Sequence, residues 1–224
     1  MIRPDMATML GFVTTDAAVA AGPLQAILHD AVEASFHRIT VDGDTSTNDA
    51  VTLSATGCIG RGHAGGRRAT GRRSPRPSPT AVCTELAQAI VRDAEGATRF
   101  VEIDVEGGRD AAECRAVAFT VAHSPLVKTA LFGGDPNWGR ILAAVGRAPI
   151  DGLDVAGVDI ALGELELVAG GQPVPGYDEG RAAAIVARPE VRIRIGLGRG
   201  DAATRIWTSD LSYDYVRINA DYRT

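Results

Sequence analysis

The chain has 224 residues, a formal net charge of −5, 45% apolar and 23% charged residues, which suits one large or two modest globular domains. The negative balance argues against a nucleic-acid partner, no apolar run approaches the ~20 residues of a membrane span, and the first ten residues lack the apolar stretch of a signal peptide. Cys58, Cys83 and Cys114 form no C-x-x-C pair, so a reducing, cytoplasmic setting without a zinc framework is expected.

The opening stretch MIRPDMATML carries Thr8 and runs into an apolar segment, Gly11–Thr15, that reads as a strand. Gly22-Pro23 opens a helix, with proline where its missing N–H costs nothing, and Leu24, Ile27, Leu28, Ala31, Val32 and Phe36 follow at helical spacing. Arg38–Asp42 reads as a strand entering the polar loop 42–49, and Ala50–Ala55 as the next strand, ended by Gly57. Gly60–Thr80 has no periodicity, no acidic residue and six arginines, Arg61, Arg67, Arg68, Arg72, Arg73 and Arg76, among Gly, Ala, Ser and Pro. Such a stretch cannot bury a core and is expected to be disordered. Three readings stand: a basic arm for nucleic acid, a solvated loop, or a frame-shifted insert in a GC-rich gene. The abrupt return of order at Ala81 favours the third.

Ala81–Arg92 returns to helical spacing, and 93–98 is a turn into the alternating strand 100–105. Arg115–Val121 reads as a second strand, paired with the first as a hairpin across Gly107–Asp110. Ser124-Pro125 reads as a cap and first turn of a helix through Phe132. Further on come a rigid loop 133–139, a helix 140–145, short strands 158–162 and 164–168, a helix 178–186, strands 191–195 and 204–208, and a short helix marked by Leu211, Tyr215 and Ile218. Strands and helices mix without strict alternation, so the fold class is α/β of the mixed α+β kind rather than doubly wound.

Several stretches invite chemistry. Asp42-x-Asp44-x-Ser46 fails as an EF-hand loop, since position six is Thr47 and position twelve is Leu53. It fits an aspartyl-phosphate loop better, with Asp42 as nucleophile and Asp44 as acid, in a metal-dependent phosphatase; its plainer reading is a loop saturating its own backbone donors. Gly196-x-Gly198-x-Gly200 follows a strand but leads into another strand, which removes the dinucleotide reading. His29, His37, His63 and His123 have no H-x-x-x-H spacing, so neither metal ligation nor a triad is indicated. Thr8 is an ordinary strand-leading threonine unless the bond before it is cut. Its hydroxyl would then attack the Ala7 carbonyl, and the freed α-amine, with a reference pKa near ~8, would serve as base for its own hydroxyl. That chemistry needs no metal, histidine or cofactor.

Five blocks, MIRPDMATMLGF, RITVDGDTSTNDAV, DAEGATRFVEI, HSPLVKTALFGGDPNWGRILAAVGR and DLSYDYVRINADYRT, occur in order and cover nearly the whole chain except Gly60–Thr80. In these the chain resembles the ornithine acetyltransferase family, the bifunctional glutamate N-acetyltransferases of arginine biosynthesis. The resemblance implies autocatalytic cleavage between Ala7 and Thr8 and a ping-pong route. Acetyl passes from N-acetylornithine to Thr8 and then to glutamate through an ester. Some members accept acetyl-CoA as donor; no metal or other cofactor is implied. Glu95 would hold the substrate's cationic amine, and Asn219 and Thr224 its amino-acid end.

The fold implied is the layered sheet-and-helix core of N-terminal-nucleophile-like type with a smaller α+β domain. It divides here as residues 1–122, 123–203 and a terminal segment 204–224, in an α2β2 heterotetramer. The family's α part, which supplies the oxyanion-hole donors, has no counterpart here. Loss of one such donor costs roughly 100–1000-fold in rate, so this polypeptide alone is expected neither to cleave itself nor to be active. A metal-dependent phosphatase and an inactive orphan assembly chain are the alternatives. Asp5 and His37 stand where the family usually has Asn, Arg99 where it has Lys, and the basic stretch where it has helix and loop.

Overall fold

The computed structural model describes residues 1–3, 9–45, 48–58 and 77–221. The chain divides into two units, one of Met1–Arg38 and Asp44–Gln88, the other of Ile39–Gly43 and Ala89–Thr224. In the first, β1 (Leu10–Thr15) and β2 (Ala50–Ala55) pair in parallel, Leu10 opposite Ala50 and Thr15 opposite Ala55. Parallel neighbours need a crossover, and α1 (Ala21–Glu33) provides it, packing on β2. The alternation on β1 leaves Leu10 68% and Phe12 74% exposed. The basic stretch lies outside the described residues up to Arg76; its last two residues, Pro79 and Thr80, already belong to α2 (Pro79–Arg92).

The second unit is built on β3 (Phe100–Gly108). After it come α3 (Ala111–Ala122), α4 (Pro125–Gly133) and α5 (Trp138–Gly146). Next are β4 (Asp159–Leu162), β5 (Leu165–Ala169), β6 (Gln172–Pro173) and α6 (Glu179–Val186). The unit closes with β7 (Glu190–Gly196), β8 (Ala202–Ser209) and α7 (Tyr213–Asp221). The strands form one six-stranded sheet, in the order β6-β5-β4-β7-β3-β8. β3 lies parallel to β7 and antiparallel to β8, so the sheet draws strands from both sides of residues 122 and 123.

Period-two alternation sorts the sheet's two faces. Val101, Ile103 and Val105 of β3, Val191, Ile193 and Ile195 of β7 and Ile206 of β8 are fully or almost fully buried. They form one core with Val117 and Val121 of α3, Ile141 of α5 and Val186 of α6. The opposite face carries Glu102 and Asp104, bridged by Arg192 and Arg205 of the flanking strands, Arg192 Nε and Arg205 Nε each 2.5 Å from Asp104. Opposite charges facing one another across adjacent strands stabilise the pairing.

Two expected strands are not strands. Arg115–Val121 lies inside α3. Asp110 caps that helix, its Oδ1 accepting from Glu113 N at 2.8 Å, and the buried set Cys114, Val117, Ala118, Val121 and Ala122 has helical spacing. β3 therefore takes its partners from far along the chain instead of from a hairpin. Arg38–Asp42 is also not a strand. A 3₁₀ turn occupies Phe36–Arg38, and only an isolated bridge, Ile39 to Trp207, follows. Ser124 sits at the N-cap of α4 without a side-chain capping bond.

Candidate functional site

Glu95 lies in the turn between α2 and β3, and Asn219 on the last helix. The structure brings them together, with Asn219 Nδ2 donating to Glu95 Oε2 at 2.9 Å and to the Tyr215 carbonyl at 3.0 Å. Both residues are exposed. Gly96 makes the approach feasible. Its φ is +66°, and a Cβ there would lie 2.5 Å from Tyr215 N and 2.8 Å from Ser212 Oγ, so a side chain would clash with the start of α7 and strain the backbone. Ser212 Oγ donates to the Gly96 carbonyl at 2.5 Å and accepts from Tyr215 N at 3.3 Å, joining the turn to the helix start.

Beneath this turn lies a buried polar cluster that the sequence reading missed. Asp210, 3% exposed, accepts from Thr98 N at 2.8 Å, Thr98 Oγ1 at 2.5 Å and Arg99 N at 2.9 Å. Arg99 reaches three groups from here: Nε donates to the Val186 carbonyl at 2.7 Å, NH1 donates to the Phe132 carbonyl at 2.9 Å, and NH1 lies 3.6 Å from Asp210 Oδ2. A planar guanidinium can hold these fixed directions at once, which an ammonium cannot.

Lys128 of α4, 4% exposed, donates to Thr208 Oγ1 at 3.1 Å and to the Ser209 carbonyl. Burial pushes its ammonium down to about 8, with Asp210 and Asp42 pulling the other way. Asp42 accepts a long 3.5 Å contact from the Tyr215 hydroxyl, and Thr40 Oγ1 meets His123 Nε2 at 3.0 Å. The available signals were a lysine within the apolar run HSPLVKTALF and an aspartate two residues past the strand at 204–208. Neither is specific without knowledge of the pairing.

Thr8, Ala7 and Thr224 lie outside the described residues. The residue after Thr8 is described. Met9 N donates to Asp49 Oδ1 at 2.6 Å and the Met9 carbonyl accepts from Ala50 N at 3.0 Å, so the chain leaving Thr8 is tied to the residue before β2. Among the described residues the other carboxylate oxygen of Asp49, Oδ2, is buried without a hydrogen-bond partner. Among the described residues no group of three or more His, Cys, Asp or Glu side chains could hold a metal ion. The cysteines are free thiols.

Fold and site thus define a mixed α/β protein with a layered sheet-and-helix core, in which an acidic turn meets an asparagine on the last helix. The model of the ArgJ family matches residues 1–224. The chain is 52% identical over 226 residues to the arginine biosynthesis bifunctional protein ArgJ of Pseudomonas fluorescens, and 53% identical over 238 residues to that of Methylococcus capsulatus. All of this chain is covered, but only 55% of each relative, so it spans about half the length of the curated relatives it matches. A crystal structure of the ArgJ protein of Bacillus halodurans superposes with a TM-score of 0.83 at 39% identity, covering 96% of this chain and 100% of the solved one. The chain belongs to the ArgJ family, and its fold is the one the resemblance implied.

Proposed function

We propose that this chain is the β-chain of an ornithine acetyltransferase, which moves acetyl from N-acetylornithine to glutamate once Thr8 has become its N-terminus. The observation that carries the reading is the Glu95–Asn219 contact at 2.9 Å, which joins two of the four substrate-binding residues implied by the family blocks, Thr8, Glu95, Asn219 and Thr224. One carboxylate oxygen of Glu95 is occupied by Asn219. Among the described residues the other has no hydrogen-bond partner, and it can take the ammonium of the donor's side chain in a charge-assisted bond.

The Thr8 hydroxyl attacks the acetyl carbonyl while the Thr8 α-amine takes its proton. Ornithine leaves with that proton on its amine, and glutamate's amine attacks the resulting ester in the reverse sense. The Met9–Asp49 bond at 2.6 Å supports a fixed exit for the chain just after the nucleophile. The oxyanion donors come from an α-chain of the same family, in an α2β2 assembly that works in the cytoplasm. That assembly is supported by the exposed Leu10 and Phe12 on a two-stranded parallel sheet, since parallel sheets are normally covered on both faces. Acetyl-CoA serves as an alternative acetyl donor rather than a resident cofactor. Family membership and Asp42's contact with the Tyr215 hydroxyl favour this reading over the phosphatase.

Co-expression with a family α-chain tests it. Ornithine release beyond one equivalent per Thr8 should depend on glutamate, and all release should vanish in Thr8→Ala. No release from the co-expressed wild type would remove the proposal.

A further inference from the structure

We propose that Asp210 is a positioning residue that sets the separation of Glu95 and Asn219, by clamping the turn 95–98 onto the segment that enters α7. The inference rests on the reading of Glu95 as the holder of the donor's ammonium.

Two sets of bonds cross between the turn and that segment. Gly96 is tied to Ser212 through its carbonyl, and Thr98 and Arg99 are tied to Asp210 through two amides and a hydroxyl. Asn219 is fixed to α7 by its own bond to the Tyr215 carbonyl. The position of Glu95 relative to Asn219 is therefore set by what joins the turn to the helix entry. The carboxylate of Asp210 has no exposed side-chain surface. Apolar side chains of similar volume often stabilise a core as well as a buried ion pair does. What a carboxylate adds is direction: three donors from adjacent residues converge on its two oxygens, fixing both the height and the rotation of the turn.

The donor carries a side-chain ammonium and glutamate does not, so a displaced Glu95 should harm only the half-reaction with N-acetylornithine. In the co-expressed assembly, Asp210→Ala should lower kcat/KM for N-acetylornithine ~10-fold and leave that for glutamate within ~2-fold. Asp210→Asn keeps an oxygen for the two amides and should recover part of the loss. The double variant Glu95→Gln/Asp210→Ala should be no worse than Glu95→Gln alone, because the two act through one contact. An equal fall in both half-reactions, or losses that multiply in the double variant, would overturn the assignment.

Should Asp210→Ala not fold, Asp210→Asn and Thr98→Val carry the test, each expected to give ~3-fold losses confined to the donor half. A readout without turnover separates this inference from the proposed function. In the full chain, the side-chain amide signal of Asn219 in nuclear magnetic resonance should shift in Asp210→Asn. An unchanged signal contradicts the clamp even if the enzyme is active. An inactive wild-type assembly whose Asn219 signal does shift contradicts only the acetyltransfer.

Discussion

The two units solve the problem of burying a sheet in different ways. The second packs its six strands against four helices, α3 to α6, and shuts Ile103, Ile193 and Ile195 completely away from water. Among the described residues the first has two parallel strands, with Phe12 74% exposed. Two strands cannot cover themselves, and a parallel pair with one bare apolar edge is marginal in water. The lesson is a division of labour along the chain. The unit that carries Glu95 and Asn219 buries the apolar face of its own sheet, whereas the described residues of the unit into which Thr8 leads leave Leu10 and Phe12 exposed, the surface that the proposed α-chain would cover.

The largest test of that contrast is a cavity in the second unit. Ile103→Ala should cost about 2–5 kcal/mol in urea unfolding; a cost under about 1 kcal/mol would mean that this core is looser than its burial implies. Gly96→Ala comes next. A β-carbon at φ +66° against the Tyr215 nitrogen should cost about 2–3 kcal/mol and also break the contact between Glu95 and Asn219, read as a lost donor half-reaction.

A third effect is a slope. The Lys128 ammonium titrates near 8 in the folded chain against an ordinary 10.5. Between those values the unfolded chain holds a proton that the native chain has released, so stability should rise with pH through that window. Lys128→Met should flatten the rise, as seen in unfolding curves taken at a series of pH values; an unchanged slope would assign it elsewhere. The smallest effect is in the first unit. Phe12→Ala should leave the stability of the chain alone within ~0.5 kcal/mol, yet weaken co-purification with an α-chain. A large loss of stability in the chain alone would mean that Phe12 is already covered.

Much of this was legible before the structure, and the part that was not has one physical cause. Strands β1, β2, β4 and β7 and helices α1, α5 and α6 announce themselves by local periodicity and caps. α3 was misread because Val117, Phe119 and Val121 alternate like a strand, while the competing signals, the Asp110 cap with Glu113 and the alanines among them, are local but weaker to the eye. The turn at Phe36–Arg38 replaced a strand because Ile39 finds only one bridge partner, Trp207, far along the chain. Nothing local predicts that β3 pairs with β7 and β8, or that Thr98 meets Asp210. Glu95 and Asn219 were found through the family blocks, not through any spacing that chemistry demands, and the aspartate beneath them has no signature of its own.

The central claim is that a threonine freed at its amine carries the acetyl group. The most direct measurement is the intact mass of the co-expressed chain before and after N-acetylornithine is added without glutamate. The account predicts a chain that begins at Thr8 and gains one acetyl group on that residue, which added glutamate then removes. An uncut junction between Ala7 and Thr8, or a cut chain that never gains acetyl, would contradict it.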